Sequence, residues 1–200
     1  DVCSSDLIPL RRDDDRGVLP VELALWRRFN RVADGEVQEV VAFVRGRPWV
    51  GYARSEAEQI ALLRRAERVN GYQGAYLLAN PIRPEIAERY DPGYFGSAYA
   101  GRASDAEVPT RRTVFIDIDS VRTKGISATD GELSAARDVA TSIRELLISR
   151  CGAGAVGFGC SGNGYFLLLA IEPQPAVREQ AERVRLLLLG LRHKFATPAV

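Results

Sequence analysis

Between residues 113 and 195 the hydrophobic pattern switches between a period of two and a period of 3.6 in one fixed order: strand, helix, strand, strand, helix. Few folds accept that order. Residues 111–120 alternate so that Val114, Ile116 and Ile118 face one layer while Phe115, Asp117 and Asp119 share the other. Thr129 with Glu132 makes a capping box, and Leu133, Ala136, Val139, Ala140, Ile143, Leu146 and Leu147 recur at helical spacing until Gly152 stops the helix. The apolar runs 155–160 and 165–171 are joined by Ser161-Gly162-Asn163-Gly164, a composition that asks for a tight turn with positive φ. Residues 176–195 read as the second helix.

This is the order of a split β-α-β repeat without its last strand, an α+β arrangement. In the complete repeat the third strand lies antiparallel beside the first, which brings the 161–164 turn next to Asp117 and Asp119. Two carboxylates pointing the same way repel each other unless a cation sits between them, and Mg²⁺ or a similar hard divalent ion prefers oxygen ligands. The plainer reading is a pair of acids at a solvated strand end. A turn with two glycines offers backbone N–H groups to phosphate oxygens, although the same composition also suits an ordinary hairpin. Together the acids and the turn describe a site for a metal-bound nucleoside triphosphate. Arg122 and Lys124, just past the strand, are candidates for the phosphates, as are Arg111 and Arg112 before it.

Upstream, residues 36–44 and 49–53 read as a hairpin, with a short helix over 21–32 before it. Ser55 and Glu58 open a helix that ends near Gly71, residues 72–79 form a buried strand, and 84–90 form a short helix. Residues 91–109 are rich in Gly, Ala, Ser and Tyr and are expected to be an irregular connection, as is the charged stretch 8–17. Residues 1–7 match the translation of a common sequencing adapter and are expected to be foreign to the protein. The expected division is therefore 1–7 as artefact, 8–110 as an N-terminal α/β module and 111–200 as the second, incomplete half.

The 46% hydrophobic and 26% charged fractions are those of a folded chain. Setting Asp1 and Asp6 aside moves the net charge from +1 to +3, too little to identify a nucleic-acid binder. With Cys3 set aside in the segment expected to be foreign, Cys151, Cys160 and the single His193 cannot make a four-ligand zinc site and suggest a reducing, cytoplasmic setting. No apolar run approaches the ~20 residues needed to span a bilayer. Two G-x-G-x-x-G matches, starting at Gly152 and Gly157, follow a helix rather than precede one, so they are not a dinucleotide fingerprint.

At Asp117-Ile118-Asp119 and Ser161-Gly162-Asn163-Gly164 the chain resembles the archaeo-eukaryotic primase superfamily, in particular primase-polymerases of phage and plasmid type. The resemblance covers residues 72–195 and extends to Gly74-Ala75-Tyr76, Asn80-Pro81, Arg111-Arg112 and residues 122–132. It implies an RRM-like catalytic half packed against an N-terminal α/β module. Asp117 and Asp119 would hold catalytic Mg²⁺ or Mn²⁺; Ser161, Gly162, Asn163 and Gly164 would hold the incoming nucleotide, assisted by Arg122 and Lys124. Nucleoside triphosphates, a DNA template and primer and a helicase in cis or in trans are the implied partners. Two departures are plain. Phe166 stands where the family commonly has a phosphate-contacting histidine, and the family's third metal-binding acid belongs to a strand beyond Val200. The chain is accordingly expected to be a fragment with crippled catalysis. Two other functions fit the same residues: a catalytically degenerate nucleic-acid-binding module, and a phosphatase with Asp117 as nucleophile and Asp119 as general acid.

Overall fold

The computed structural model describes residues 29, 32–123 and 126–200, with the backbone of Leu7–Leu10. The architecture is α+β, with two antiparallel sheets, and the chain divides into two compact units, residues 1–112 and 113–200. No helix among the described residues is long and apolar enough to cross a membrane.

The first unit is built on a five-stranded sheet of order β1-β4-β2-β3-β5. Its strands are β1 (Leu7–Leu10), β2 (Gln38–Val44), β3 (Arg47–Ala53), β4 (Tyr72–Leu78) and β5 (Phe95–Ser97). Arg45 and Gly46 join β2 to β3 with φ of 50° and 74°; a two-residue turn with both φ positive matches the twist of the flanking strands. Helix α1 (Glu56–Glu67) starts at Ser55, whose hydroxyl accepts from Glu58 N at 3.2 Å. The Glu58 carboxylate caps the backbone N–H of Arg54 rather than that of Ser55. Leu62 lies over Gly51, where a side chain on β3 would meet it at 2.8 Å. Helix α2 is a single turn, Pro84–Ala87, shorter than the 84–90 expected.

Three expectations for this unit change. Leu7, assigned to the foreign segment, and residues 8–10, assigned to a loop, pair as β1 with β4 in the register Leu7↔Leu78. The stretch 91–109 is not wholly irregular: β5 pairs with Trp49–Gly51 of β3, and Asp105–Glu107 is a 3₁₀ turn with a capping box from Ser104 and Glu107. The helix expected over 21–32 and the loop 11–17 lie outside the described residues, apart from Phe29 and Val32.

The second unit carries β6 (Thr110–Asp119, which begins in the first unit), α3 (Asp130–Cys151), β7 (Val156–Cys160), β8 (Gly164–Pro175) and α4 (Arg178–Phe195). Its sheet order is β6-β8-β7, so the third strand stands between the first and the second. The capping box at Thr129 is complete, with Glu132 N donating to Thr129 Oγ1 and the Glu132 carboxylate accepting from Thr129 N. Gly152 ends α3 at φ 84°. Val114, Ile116 and Ile118 of β6 join Val156, Leu167 and Leu169 in one core with Ala136, Ala140, Ile143 and Leu147 of α3 and Leu191 of α4. Burying that apolar face fixes the register of β6, because a slip of one residue would send Asp117 and Asp119 into the core.

Candidate functional site

β6 positions its two acids by alternation: Ile116 and Ile118 are buried, while Asp117 and Asp119 are exposed on the opposite face. β8 begins beside their end of the strand. A Cβ on Gly164 would lie 2.5 Å from Asp119 Oδ1 and 2.5 Å from the Ile118 carbonyl oxygen. Only glycine lets the Asp119 carboxylate lie across the start of β8 at that distance. The turn and the acid pair, 45 residues apart in sequence between Asp119 and Gly164, therefore share one sheet edge.

Asp117 reaches solvent on one side and is crowded by protein atoms on the other. That crowding, followed by the charge of Asp119, raises its pKa from 3.8 to about 6, against a hydrogen bond from Ile118 N–H that pulls it down. Among the described residues no arginine or lysine forms an ion pair with either acid. An exposed, mutually repelling pair of hard oxygen donors without a protein cation suits a divalent metal ion, to which it would supply two ligands. No cluster of three or more metal-ligating side chains forms among the described residues.

The turn is tied together from within. Ser161 N donates to the Gly164 carbonyl at 3.0 Å, Gly164 N to Ser161 Oγ at 3.0 Å, and Gly162 N to Cys160 Sγ at 3.4 Å. Gly162 has φ 90°, as its residue type suggested. Among the described residues, Asn163 N alone of the four backbone donors makes no hydrogen bond, and the Gly162 donor is held by a weak sulfur acceptor. Donors for an anion are thus Asn163 N, the Ser161 hydroxyl proton, the Asn163 amide group and, by release from sulfur, Gly162 N. Gly164 serves the site by its lack of a side chain.

Comparison with protein families, with curated proteins and with solved structures finds no match.

Asn163 has a second role that its residue type did not reveal. Its Oδ1 accepts from Ala128 N at 3.2 Å, joining the turn to the residue before the α3 N-cap. Arg122 lies in the same connection and donates through Nη1 to the Ile126 carbonyl at 3.0 Å, with Nε buried and unpaired. Lys124 lies outside the described residues. Arg112 is engaged in the first unit, where it pairs with Glu36 at 2.9 Å and its N–H donates to Asn80 Oδ1.

Phe166 is 5% exposed, with its ring lying against Gly159 on β7 and 5.5 Å from the Phe115 ring centroid. The missing histidine is plain in the sequence; the packing that fills its place is not. The signal was present in Gly159, which stands opposite Phe166 in the β7–β8 register and has no side chain to occupy that space.

Proposed function

We propose that the chain is the core of a metal-dependent, template-directed nucleotidyltransferase, a DNA primase-polymerase of the archaeo-eukaryotic kind with an RRM-like catalytic half. The observation that supports this reading is the approach of Gly164 to Asp119, which sets the 161–164 turn beside the two carboxylates. Asp117 and Asp119 would hold Mg²⁺ or Mn²⁺, and the metal would supply charge neutralisation for a triphosphate. The protein's own contribution is positional. The Ser161 hydroxyl, Asn163 and Gly162 offer donors to phosphate oxygens, while Arg122 adds a positive charge near the same connection. Primer extension with Mn²⁺ and labelled deoxynucleotides tests this, with the Asp117→Ala/Asp119→Ala variant beside the parent. Incorporation lost in the variant supports the reading, and equal incorporation by both proteins contradicts it.

The packing of Phe166 favours a second reading, a nucleic-acid-binding module that has lost catalysis. A buried ring against Phe115 and Gly159 cannot donate a hydrogen bond to phosphate. This reading predicts no incorporation and template binding that survives loss of both acids.

A further inference from the structure

In the first unit, β5 covers only Trp49–Gly51 of β3, so the edge at Tyr52 and Ala53 is left unpaired by strand. A cavity of about 720 Å³ opens there between α1 and the chain that follows α2, within the size range of a small-ligand site. Tyr52, Tyr90, Tyr94 and Tyr99 line it, together with Arg54 and Arg65. The rings form one connected set around Tyr90, with centroids 5.6 Å from Tyr52, 4.8 Å from Tyr94 in a stack and 4.9 Å from Tyr99.

Three of these rings are locked by their hydroxyls. Tyr52 donates to Glu39 at 3.2 Å, Tyr90 to the Gly101 carbonyl at 2.7 Å, and Tyr94 to the Ser97 carbonyl at 2.8 Å. Tyr99 has no such tie and is 67% exposed, an unusual position for a large aromatic side chain. Among the described residues the guanidinium of Arg54 forms no ion pair, whereas Arg65 is held by the Gly93 carbonyl and sits 5.7 Å from the Phe95 ring. Rigid aromatic faces, one of them an exposed ring packed edge-on against Tyr90 and Tyr94 with its hydroxyl untied, beside an arginine are the elements that bind an unstacked base and its phosphate. Glu88 and Asp91 on the rim are acceptors for the amino and imino edges of such a base.

We propose that this cavity binds an unpaired nucleobase, carried by a free nucleotide or by a single strand. The chemistry is read from the cavity itself; that a strand would be the template rests on the polymerase reading above. The site shares no residue with Asp117, Asp119 or the 161–164 turn, so the two can fail separately.

The test is fluorescence anisotropy at fixed salt with a labelled oligothymidylate of about 20 nucleotides, against an abasic strand of the same length that keeps the phosphates and lacks the bases. The full chain is compared with Tyr99→Ala and Tyr99→Phe. Tyr99→Ala is expected to weaken oligothymidylate binding about tenfold, the size of one lost base–aromatic stack, while Tyr99→Phe stays near the parent. The abasic strand should bind weakly and respond little to Tyr99. Competition by thymidine monophosphate would assign the base to a free nucleotide, and its absence to a strand. Equal affinity for the two strands, no binding of either, or an unchanged Tyr99→Ala protein would overturn the proposal. Base binding in a chain whose triphosphate binding is independent of Mn²⁺ and of Asp117 and Asp119 would uphold the cavity while removing the polymerase reading.

Discussion

Gly164 stands so close to Asp119 that a methyl group on its Cα would sit 2.5 Å from Oδ1. A residue that looks like a phosphate-binding glycine is first a spacer that lets a carboxylate lie across the neighbouring strand. Gly164→Ala must push β6 and β8 apart, because the Ile118 carbonyl oxygen is as close as the Asp119 side chain and cannot turn away. A loss of about 1–3 kcal/mol is expected, the usual cost of overpacking, together with weaker Mn²⁺ binding. Urea unfolding and a Mn²⁺ titration of the same variant check both. Full stability with unchanged Mn²⁺ affinity would show that the close approach constrains nothing.

The raised pKa of Asp117 gives a pH dependence of defined sign. The folded state holds this proton more tightly than the unfolded state, so the associated stability is fully present below pH 3.8 and is lost as pH rises through about 6. Asp117→Asn should remove that slope and melt higher than the parent at pH 7. Divalent metal should raise the parent's melting temperature above pH 6 and have little effect near pH 4. Thermal melts across pH, with and without Mg²⁺, measure all three effects.

Asn163 links the turn to the connection before α3 through Ala128 N. Asn163→Ala leaves that N–H without its acceptor, at a cost of about 1 kcal/mol, and should speed amide exchange at Ala128 while Leu167 and Leu168, buried in β8, stay protected. Exchange mapped by mass spectrometry or NMR resolves the difference. Uniformly faster exchange would mean general loosening instead.

Phe166→His returns a hydrogen-bond donor to the site at the expense of packing. Replacing a 5% exposed ring with imidazole should cost about 1–3 kcal/mol. Under the polymerase reading it should also tighten Mn²⁺-dependent nucleotide binding. A loss of stability with no gain in affinity favours the non-catalytic module.

Elements whose cause is local were legible in the sequence. Thr129 and Glu132 form the reciprocal cap their spacing announces, and the apolar positions of β6, α3 and β8 build the core their periods imply. The meeting of the turn with the acid pair followed from strand order alone. β5 could not be read, because three residues, Phe95-Gly96-Ser97, are too few to show a period and are strand only by pairing with β3. The engagement of the turn's N–H groups was also hidden, since it depends on where the Cys160 thiol and Ser161 hydroxyl point. Tyr94 and Tyr99 lie in the stretch that composition marks as irregular, Tyr90 closes the expected helix 84–90, and only the fold gathers Tyr52 from β3 with these three.

As proposed above, Asp117, Asp119 and the 161–164 turn would form one metal-dependent nucleotide site. Calorimetric titration of a deoxynucleoside triphosphate into the chain tests it most directly, with and without Mn²⁺, for the parent and for Asp117→Ala/Asp119→Ala. The parent should bind only with Mn²⁺, and the double variant should lose at least about tenfold in affinity, equal to about 1.4 kcal/mol. Binding that ignores Mn²⁺, or that survives in the double variant, would contradict it.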